Sequence, residues 1–318
     1  MPDLLREIPD NPIPENAAAD VMEAADGVRI RYARFPASAP NGTVIILPGR
    51  NEFIEKYFET IGDLRQRGFA AVALDWRGQG GSDRLLRDRM RGHIESFDSY
   101  VDDLDRFFFE VVLPDCRPPY TILGHSTGAL IALLATPHLI NRVRRIVLAA
   151  PLLELRTPLS PPWLKAFANL FCALGLGTRY IAGSGRRGRP TPFQSNKLTN
   201  DARRYARNQA LVEAHPDLGV GGPTAAWLRA ALLAAERVSA PQFMARMHLP
   251  ILFLAAGSDT VVSTPAIESY AAALPSARAL TVDGARHELF QEADIYREQA
   301  LAAFAAFAGV PENERITA

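Results

Sequence analysis

Short runs that are apolar on both faces, separated by longer amphipathic stretches, constrain this chain more than any other feature. Thr43 to Leu47 reads TVIIL, Phe69 to Leu74 FAAVAL, Tyr120 to Leu123 YTIL, Arg145 to Ala149 RIVLA and Ile251 to Ala255 ILFLA. A strand with one face in water alternates apolar and polar residues, and these do not, so both faces must be covered. Between them lie helical stretches near Glu52 to Gly68, Ser96 to Val112, Gly128 to Leu139 and Pro265 to Leu274, with strand Ala279 to Val282 and helix Ile295 to Ala308 closing the series. The alternation predicts an α/β fold, a mostly parallel sheet flanked by helices on both sides. Ligands of such sheets sit outside the carboxyl ends of the strands, where Arg50, Arg77, Ser126 and Pro151 fall.

Three stretches depart from the rhythm. Residues 1 to about 20 carry Pro9, Pro12 and Pro14 and polar side chains, and read as an extended, exposed arm. Val28 to Phe35 alternates apolar and charged residues, the period of a half-exposed edge strand in an antiparallel pair. From Pro151 to about Leu249 no strand pattern occurs; helical stretches near 163–175, 199–214 and 223–236 are joined by prolines and a Gly/Arg run, Gly183 to Arg189. The expected organisation is a core of residues 1–150 and 250–318, with 151–249 inserted as a helical cap over the carboxyl edge of the sheet. Its first helix aligns Trp163, Phe167, Leu170, Phe171 and Leu174 on one face. That stripe either packs the cap onto the core or offers an acyl-chain groove or a lipid-touching face, with Trp163, Phe167 and Phe171 as candidate substrate contacts.

Chemistry enters at Gly124-His125-Ser126-Thr127-Gly128, set between a strand and an Ala/Leu-rich helix. G-x-S-x-G in that context is a sharp turn that presents its serine above the strand ends, with glycines where side chains would collide. Alone, the pentapeptide also fits a glycine-rich turn bearing an ordinary hydroxyl. A serine nucleophile needs a base to take its proton and an acid to orient the base. Asp259 and His287 each follow a strand ending on the same sheet edge, and the order Ser, Asp, His is that of the α/β-hydrolase arrangement. Glu154 is the competing acid, while His93, His125, His138, His215 and His248 fit the base less well. The oxyanion formed on attack needs preorganised donors. The backbone N–H of Thr127 supplies one, and the N–H of Arg50, beside the permissive Gly49, is the expected second.

Lys plus Arg and Asp plus Glu both number 35, so no net field recruits nucleic acid or an anionic surface over a distance. Cys116 and Cys172 form neither a disulfide framework nor a metal-ligand pattern, and no metal is expected. No export signal is evident near the N-terminus and no run of 18 apolar residues occurs, so a cytoplasmic protein is expected, with peripheral membrane contact as the open alternative. A monomer is the default expectation.

The phrases LPGRNEFIEKYFETIGDLRQRGF, ALDWRGQGGSDR, LGHSTGALIALL, NKLTNDARRYARNQAL, AGSDTVV and GARHELFQE resemble the α/β-hydrolase-fold serine hydrolases of the monoacylglycerol lipase and bacterial lysophospholipase group, especially its L2 branch. The likeness runs from about Val28 to the last helix, and the cap phrases point to the lysophospholipase-like branch. The resemblance implies hydrolysis of a single acyl ester of a glycerol or glycerophospholipid, without cofactor, on Ser126, Asp259 and His287. A carboxylesterase or acyltransferase on the same triad, and a non-catalytic binding protein of this fold, are the alternatives. One departure from the family is Pro48-Gly49-Arg50-Asn51 where the oxyanion loop usually starts His-Gly; Arg50 there would suit a phosphate.

Overall fold

In a computed structural model of the chain, which describes residues 4–38, 41–181 and 192–309, every run apolar on both faces is a strand. The strands are β1 (Ala18–Glu23), β2 (Arg29–Phe35), β3 (Thr43–Leu47), β4 (Ala70–Leu74), β5 (Tyr120–His125), β6 (Arg145–Ala149), β7 (Ile251–Ala256) and β8 (Ala277–Val282). They form one eight-stranded sheet in the order β1-β2-β4-β3-β5-β6-β7-β8. The six strands from β4 to β8 pair in parallel, and β1 and β2 are antiparallel additions at one edge.

The helices are α1 (Phe58–Gln66), α2 (Asp98–Phe107), the single turn α3 (Leu113–Asp115), α4 (Thr127–Leu139), α5 (Pro161–Ala173), α6 (Ala202–Ala214), α7 (Ala225–Ser239), the short α8 (Pro241–Met244), α9 (Thr264–Ala272) and α10 (Asp294–Ala308). Successive residues of β3 divide between two cores, as the pleat requires. Ile45 and Leu47 face one that includes α4 and α7 residues, whereas Val44 and Ile46 face one built with α1 and α10. Each such fully buried aliphatic side chain stabilises the fold by about 1.5–3 kcal/mol.

The antiparallel edge departs from the sequence reading. The arm is largely exposed or half-exposed, as expected, but it is anchored where Leu5 and Asn11 are buried, and Ala18–Glu23 is a strand that the alternation did not reveal. β2 is consequently interior, lying between β1 and β4. Arg31 explains how the arm is anchored. It is buried between Glu55 and Asp75, donating from Nη1 to Glu55 Oε1 at 2.6 Å and from Nε to Asp75 Oδ2 at 2.8 Å. The arm completes this cluster, with Leu4 O accepting from Arg31 Nη1 at 2.6 Å and Asn11 Nδ2 donating to Glu55 O at 2.9 Å. Buried charges need every hydrogen-bonding group satisfied, and the arm supplies groups the core lacks.

Between β6 and β7 the described residues hold α5 to α8 and a 3₁₀ turn, Phe193–Ser195, with no named strand. Asp201 caps α6 by accepting from Arg204 N, and Thr224 caps α7 by accepting from Trp227 N, which fixes where the two helices begin. α7 lays Trp227, Ala230, Ala231 and Ala234 into the core beside α4. α6 is tied to α1 by Arg204 and Arg207, which converge on Glu59. The Gly183 to Arg189 run lies outside the described residues.

Candidate active site

The parallel register brings the ends of β3, β5, β7 and β8 to one edge. Leu47 stands opposite Gly124, and Ala256 opposite Val282, so the loops that follow emerge together. Ser126 follows β5 at φ 50° and ψ −110°, a left-handed backbone that a non-glycine residue adopts only when its surroundings impose it. Its N–H donates to Ala149 O of β6 at 2.9 Å, and its carbonyl accepts from Leu130 and Leu152, both at 3.1 Å. A Cβ at Gly124 would sit 2.9 Å from Ala129 Cα on the opposite limb of the turn. One at Gly128 would sit 2.1 Å from Leu47 O, so the second glycine admits the neighbouring β3 loop rather than the turn itself.

Ser126, His287 and Asp259 meet in a line. His287 Nδ1 is 2.8 Å from Asp259 Oδ2, and His287 Nε2 is 3.0 Å from Ser126 Oγ. A carboxylate accepts, so Nδ1 carries the proton and Nε2 is left to accept from the serine hydroxyl. Asp259 is 1% exposed, and its other oxygen accepts from Val261 N at 2.7 Å and Val262 N at 3.1 Å. Burial opposes its charge, but the His287 hydrogen bond and the two backbone N–H groups hold its carboxyl below the usual range. Such a chain makes a hydroxyl nucleophilic: a proton acceptor lies in reach, and a buried carboxylate stabilises the imidazolium that forms. Glu154 is exposed, and its carbonyl accepts from Ser263 N.

Thr127 opens α4, so its N–H lies in the first helical turn, where no intrahelical acceptor exists. Arg50 follows Gly49 across the cavity floor, and both Arg50 and Thr127 line the cavity with Ser126. The peptides around Gly49 are fixed: Pro48 O accepts from Trp76 Nε1 and Gly49 O from Gln79 Nε2, both at 2.8 Å, while Gly49 N–H donates to Glu52. The Arg50 side chain donates to Gly221 O at 2.8 Å and lies over the Trp227 ring, 5.6 Å from its centre. Arg77, also at a strand end, is committed elsewhere, to Asp103 and Asp26.

Above Ser126 lies a cavity of about 730 Å³ whose apolar wall includes Leu152, Leu155, Val212, Trp227 and Leu228. Trp163, Phe167 and Phe171 are not part of that wall. α5 packs on α7 and buries Ala168 completely, which leaves Trp163 73% exposed; Phe167 and Phe171 stack on each other with ring centres 4.4 Å apart. A helical stripe tells which face is apolar, not what that face meets. Cys116 and Cys172 are both half-buried, and burial pushes the Cys116 thiol up to about 11. Among the described residues no group of three His, Cys, Asp or Glu side chains is placed to hold a metal ion.

Sequence reasoning missed a buried polar group behind the base. His125 lies beneath His287, with ring centres 4.9 Å apart, and joins Glu52, Lys56, Tyr57 and Glu288. The one available signal was position, since Glu52 follows Gly49 by three residues and His125 precedes Ser126.

Residues 38–294 match the family described as serine aminopeptidase, S33 (Hydrolase_4). The chain is 35% identical over 296 residues to lysophospholipase L2 of Escherichia coli, covering 89% of this chain and 84% of that protein. It is 28% identical over 294 residues to the probable lysophospholipase L2 of Haemophilus influenzae, covering 91% of each. Among solved structures, a soluble variant of the Saccharomyces cerevisiae monoglyceride lipase, in complex with a substrate analog, superposes with a TM-score of 0.72 at 18% identity, over 93% of this chain and 95% of that one. The sheet topology and this likeness establish the α/β-hydrolase fold.

Proposed function

The chain belongs to the serine aminopeptidase S33 (Hydrolase_4) family, and from that premise we propose that it is a serine hydrolase cleaving the acyl ester of a lysophospholipid or a monoacylglycerol. The observation that carries this reading is the Ser126–His287–Asp259 line on the floor of a largely apolar cavity. His287 removes the Ser126 proton, Ser126 Oγ attacks the ester carbonyl, and the oxyanion is held by the N–H groups of Thr127 and Arg50. His287 then protonates the leaving alcohol. Water cleaves the acyl-enzyme by the same steps in reverse order, with Asp259 keeping the imidazole in its tautomer.

The division into a core, residues 1–150 and 250–318, and a cap, residues 151–249, goes with this reading, because Val212, Trp227 and Leu228 of the cap furnish much of the apolar wall. Arg50 favours the lysophospholipid over the monoacylglycerol: its guanidinium is held over Trp227 at the cavity wall, where a headgroup phosphate could take charge-assisted hydrogen bonds. The outward face of α5, with Trp163 and Leu170 exposed, suits peripheral contact with a lipid surface.

A fluorophosphonate probe tests the reaction class. Wild-type protein should be labelled and Ser126→Ala should not, with turnover lowered on the order of a million-fold; a folded wild type that resists labelling would favour a binding protein. Hydrolysis of lysophosphatidylethanolamine, lysophosphatidylcholine, monoacylglycerols and short p-nitrophenyl esters then tests the substrate. Activity confined to the short esters would make it a carboxylesterase, and acyl transfer to an added alcohol in preference to water would make it an acyltransferase. Arg50→Ala keeps the backbone N–H and should lower kcat/KM for the lysophospholipids about 10- to 100-fold more than for monoacylglycerol. An equal loss on both would remove the phosphate role.

A further inference from the structure

Directly behind the proposed base is a buried group of charges that the reaction as written does not use. Glu52 Oε2 accepts from Gly49 N–H and from Tyr57 O–H, the latter at 2.6 Å, and lies 3.0 Å from His125 Nδ1. Glu52 Oε1 accepts from Lys56 Nζ at 2.7 Å, and Lys56 also donates to Glu288 Oε1 at 2.6 Å. The other nitrogen of His125, Nε2, lies 3.1 Å from the carbonyl oxygen of His287. Glu52, His125 and Lys56 are each no more than 6% exposed.

Hydrogen-bond chemistry fixes the protons. A carbonyl oxygen only accepts, so His125 Nε2 carries a hydrogen. Gly49 N–H and Tyr57 O–H already donate to Glu52 Oε2 and an ammonium to Oε1, a set of donors that favours the ionised carboxylate over the acid, and an ionised carboxylate only accepts. His125 Nδ1 therefore donates as well, and a ring that donates from both nitrogens is an imidazolium. Burial opposes charge at both residues; even so, His125 and Lys56 hold the Glu52 carboxyl well below its usual range, and Glu52 raises His125.

We propose that Glu52 and His125 are positioning residues: one ion pair ties the Gly49–Arg50 loop to the backbone of His287, and it keeps a permanent imidazolium beside the base. The inference rests on the hydrolase reading for its kinetic meaning, though not for its protonation state. Two elements must hold their geometry during acyl transfer, the loop that carries the Arg50 N–H and the loop that carries the base. Glu52 grips the first through Gly49 N–H, and His125 grips the second through His287 O. A preorganised donor is worth far more than one that must reorganise as charge develops. The charged and titratable groups facing His125 are Glu52, Lys56, Glu288 and His287, and of these His287 alone exchanges protons during the reaction.

The test uses the full chain, with Glu52→Gln and His125→Asn as variants and p-nitrophenyl butyrate as substrate. Side-chain ¹⁵N NMR should find the wild-type His125 ring still doubly protonated above the ordinary histidine value of about 6.5. Glu52→Gln should make that ring neutral and lower kcat about 10- to 100-fold with little change in KM. His125→Asn, which releases the His287 carbonyl, should lower kcat about 10-fold, again with little change in KM. A wild-type His125 ring that turns neutral at or below about 6.5, or a folded Glu52→Gln with wild-type kcat, would overturn the proposal. Should Glu52→Gln fail to fold, the wild-type spectrum and His125→Asn still decide it. Wild-type protein that resists the fluorophosphonate probe would instead sink the hydrolase reading, and the His125 spectrum would stand or fall separately.

Discussion

Ser126 can keep its left-handed backbone only while the atoms around it leave no relaxed alternative, and Gly128 is where that constraint is tightest. A methyl group there would meet Leu47 O at 2.1 Å and Pro48 O at 2.5 Å, both backbone atoms that cannot rotate away. Gly128→Ala should therefore push the Gly49–Arg50 loop outward, lowering turnover about 100- to 1000-fold and stability by about 1–3 kcal/mol. Gly62 of α1 is the control, since nothing lies within 4 Å of a Cβ there. Gly62→Ala should be neutral or stabilising by up to about 1 kcal/mol. Turnover on a soluble ester and the urea midpoint read both. Asp259→Asn should lower kcat by about 10⁴ while leaving the fold intact, because an amide can hold the wrong tautomer of His287. Ser126, Asp259 and His287 were legible because each follows a strand ending on the same sheet edge and their chain order fits one arrangement. Glu52 and His125 were not, because nothing in a sequence marks which charged side chains will be buried against each other. Glu52 and Lys56 lie where a helix reading places ordinary solvent-facing charges.

At the scale of elements, the parallel strands were legible because burial on both faces leaves its mark in composition, whereas β1 buries only Met22 and leaves little pattern, and the course of the arm depends on what Arg31 needs, which the local pattern does not contain. Helix α6 shows a similar dependence. Its place over the sheet edge is set by Arg204 and Arg207 converging on Glu59 of α1, with Glu59 Oε1 2.6 Å from Arg204 Nη2 and Oε2 2.6 Å from Arg207 Nη1. Burial opposes the charge of Glu59, but the two arginines lower its carboxyl from an ordinary 4.5 to about 2. A carboxylate depressed in the folded state adds stability that is complete above its unfolded value and lost as pH falls through its folded one. The clamp thus contributes fully at neutral pH, weakens below 4.5 and is gone near 2. Glu59→Gln should accordingly be less stable than wild type at neutral pH, and the gap between their urea midpoints should close as pH falls through that window. A gap constant across the range would mean that the ion pairs do not hold α6 in place.

At the scale of the whole molecule, the balance of 35 basic and 35 acidic residues leaves no long-range attraction to an anionic bilayer, so any contact with lipid must come from apolar surface. That surface is on α5. Trp163, Leu170 and Leu174 are 73%, 56% and 64% exposed, and Leu159 just before the helix is 52% exposed. No helix among the described residues is long and apolar enough to cross a membrane. Residues of α6 and α7 line the cavity and α5 packs on α7, so lipid contact through α5 would keep the source of substrate close to Ser126. Transfer of a large apolar side chain out of water is worth about 1.5–3 kcal/mol. Replacing Trp163 and Leu170 together with aspartate should therefore weaken partition onto zwitterionic vesicles by 100-fold or more, in order-of-magnitude terms. Because the driving force is apolar, the wild-type partition should change little with salt and little between zwitterionic and anionic vesicles. Turnover of a short water-borne ester should be unchanged in the double variant, since neither residue lines the cavity. Vesicle sedimentation and p-nitrophenyl butyrate hydrolysis, run on the same preparations, separate the outcomes. Equal sedimentation of wild type and variant would leave α5 as a helix that merely packs on α7, whereas loss of ester turnover with sedimentation unchanged would mean that the outward face of α5 acts through the cap on the cavity.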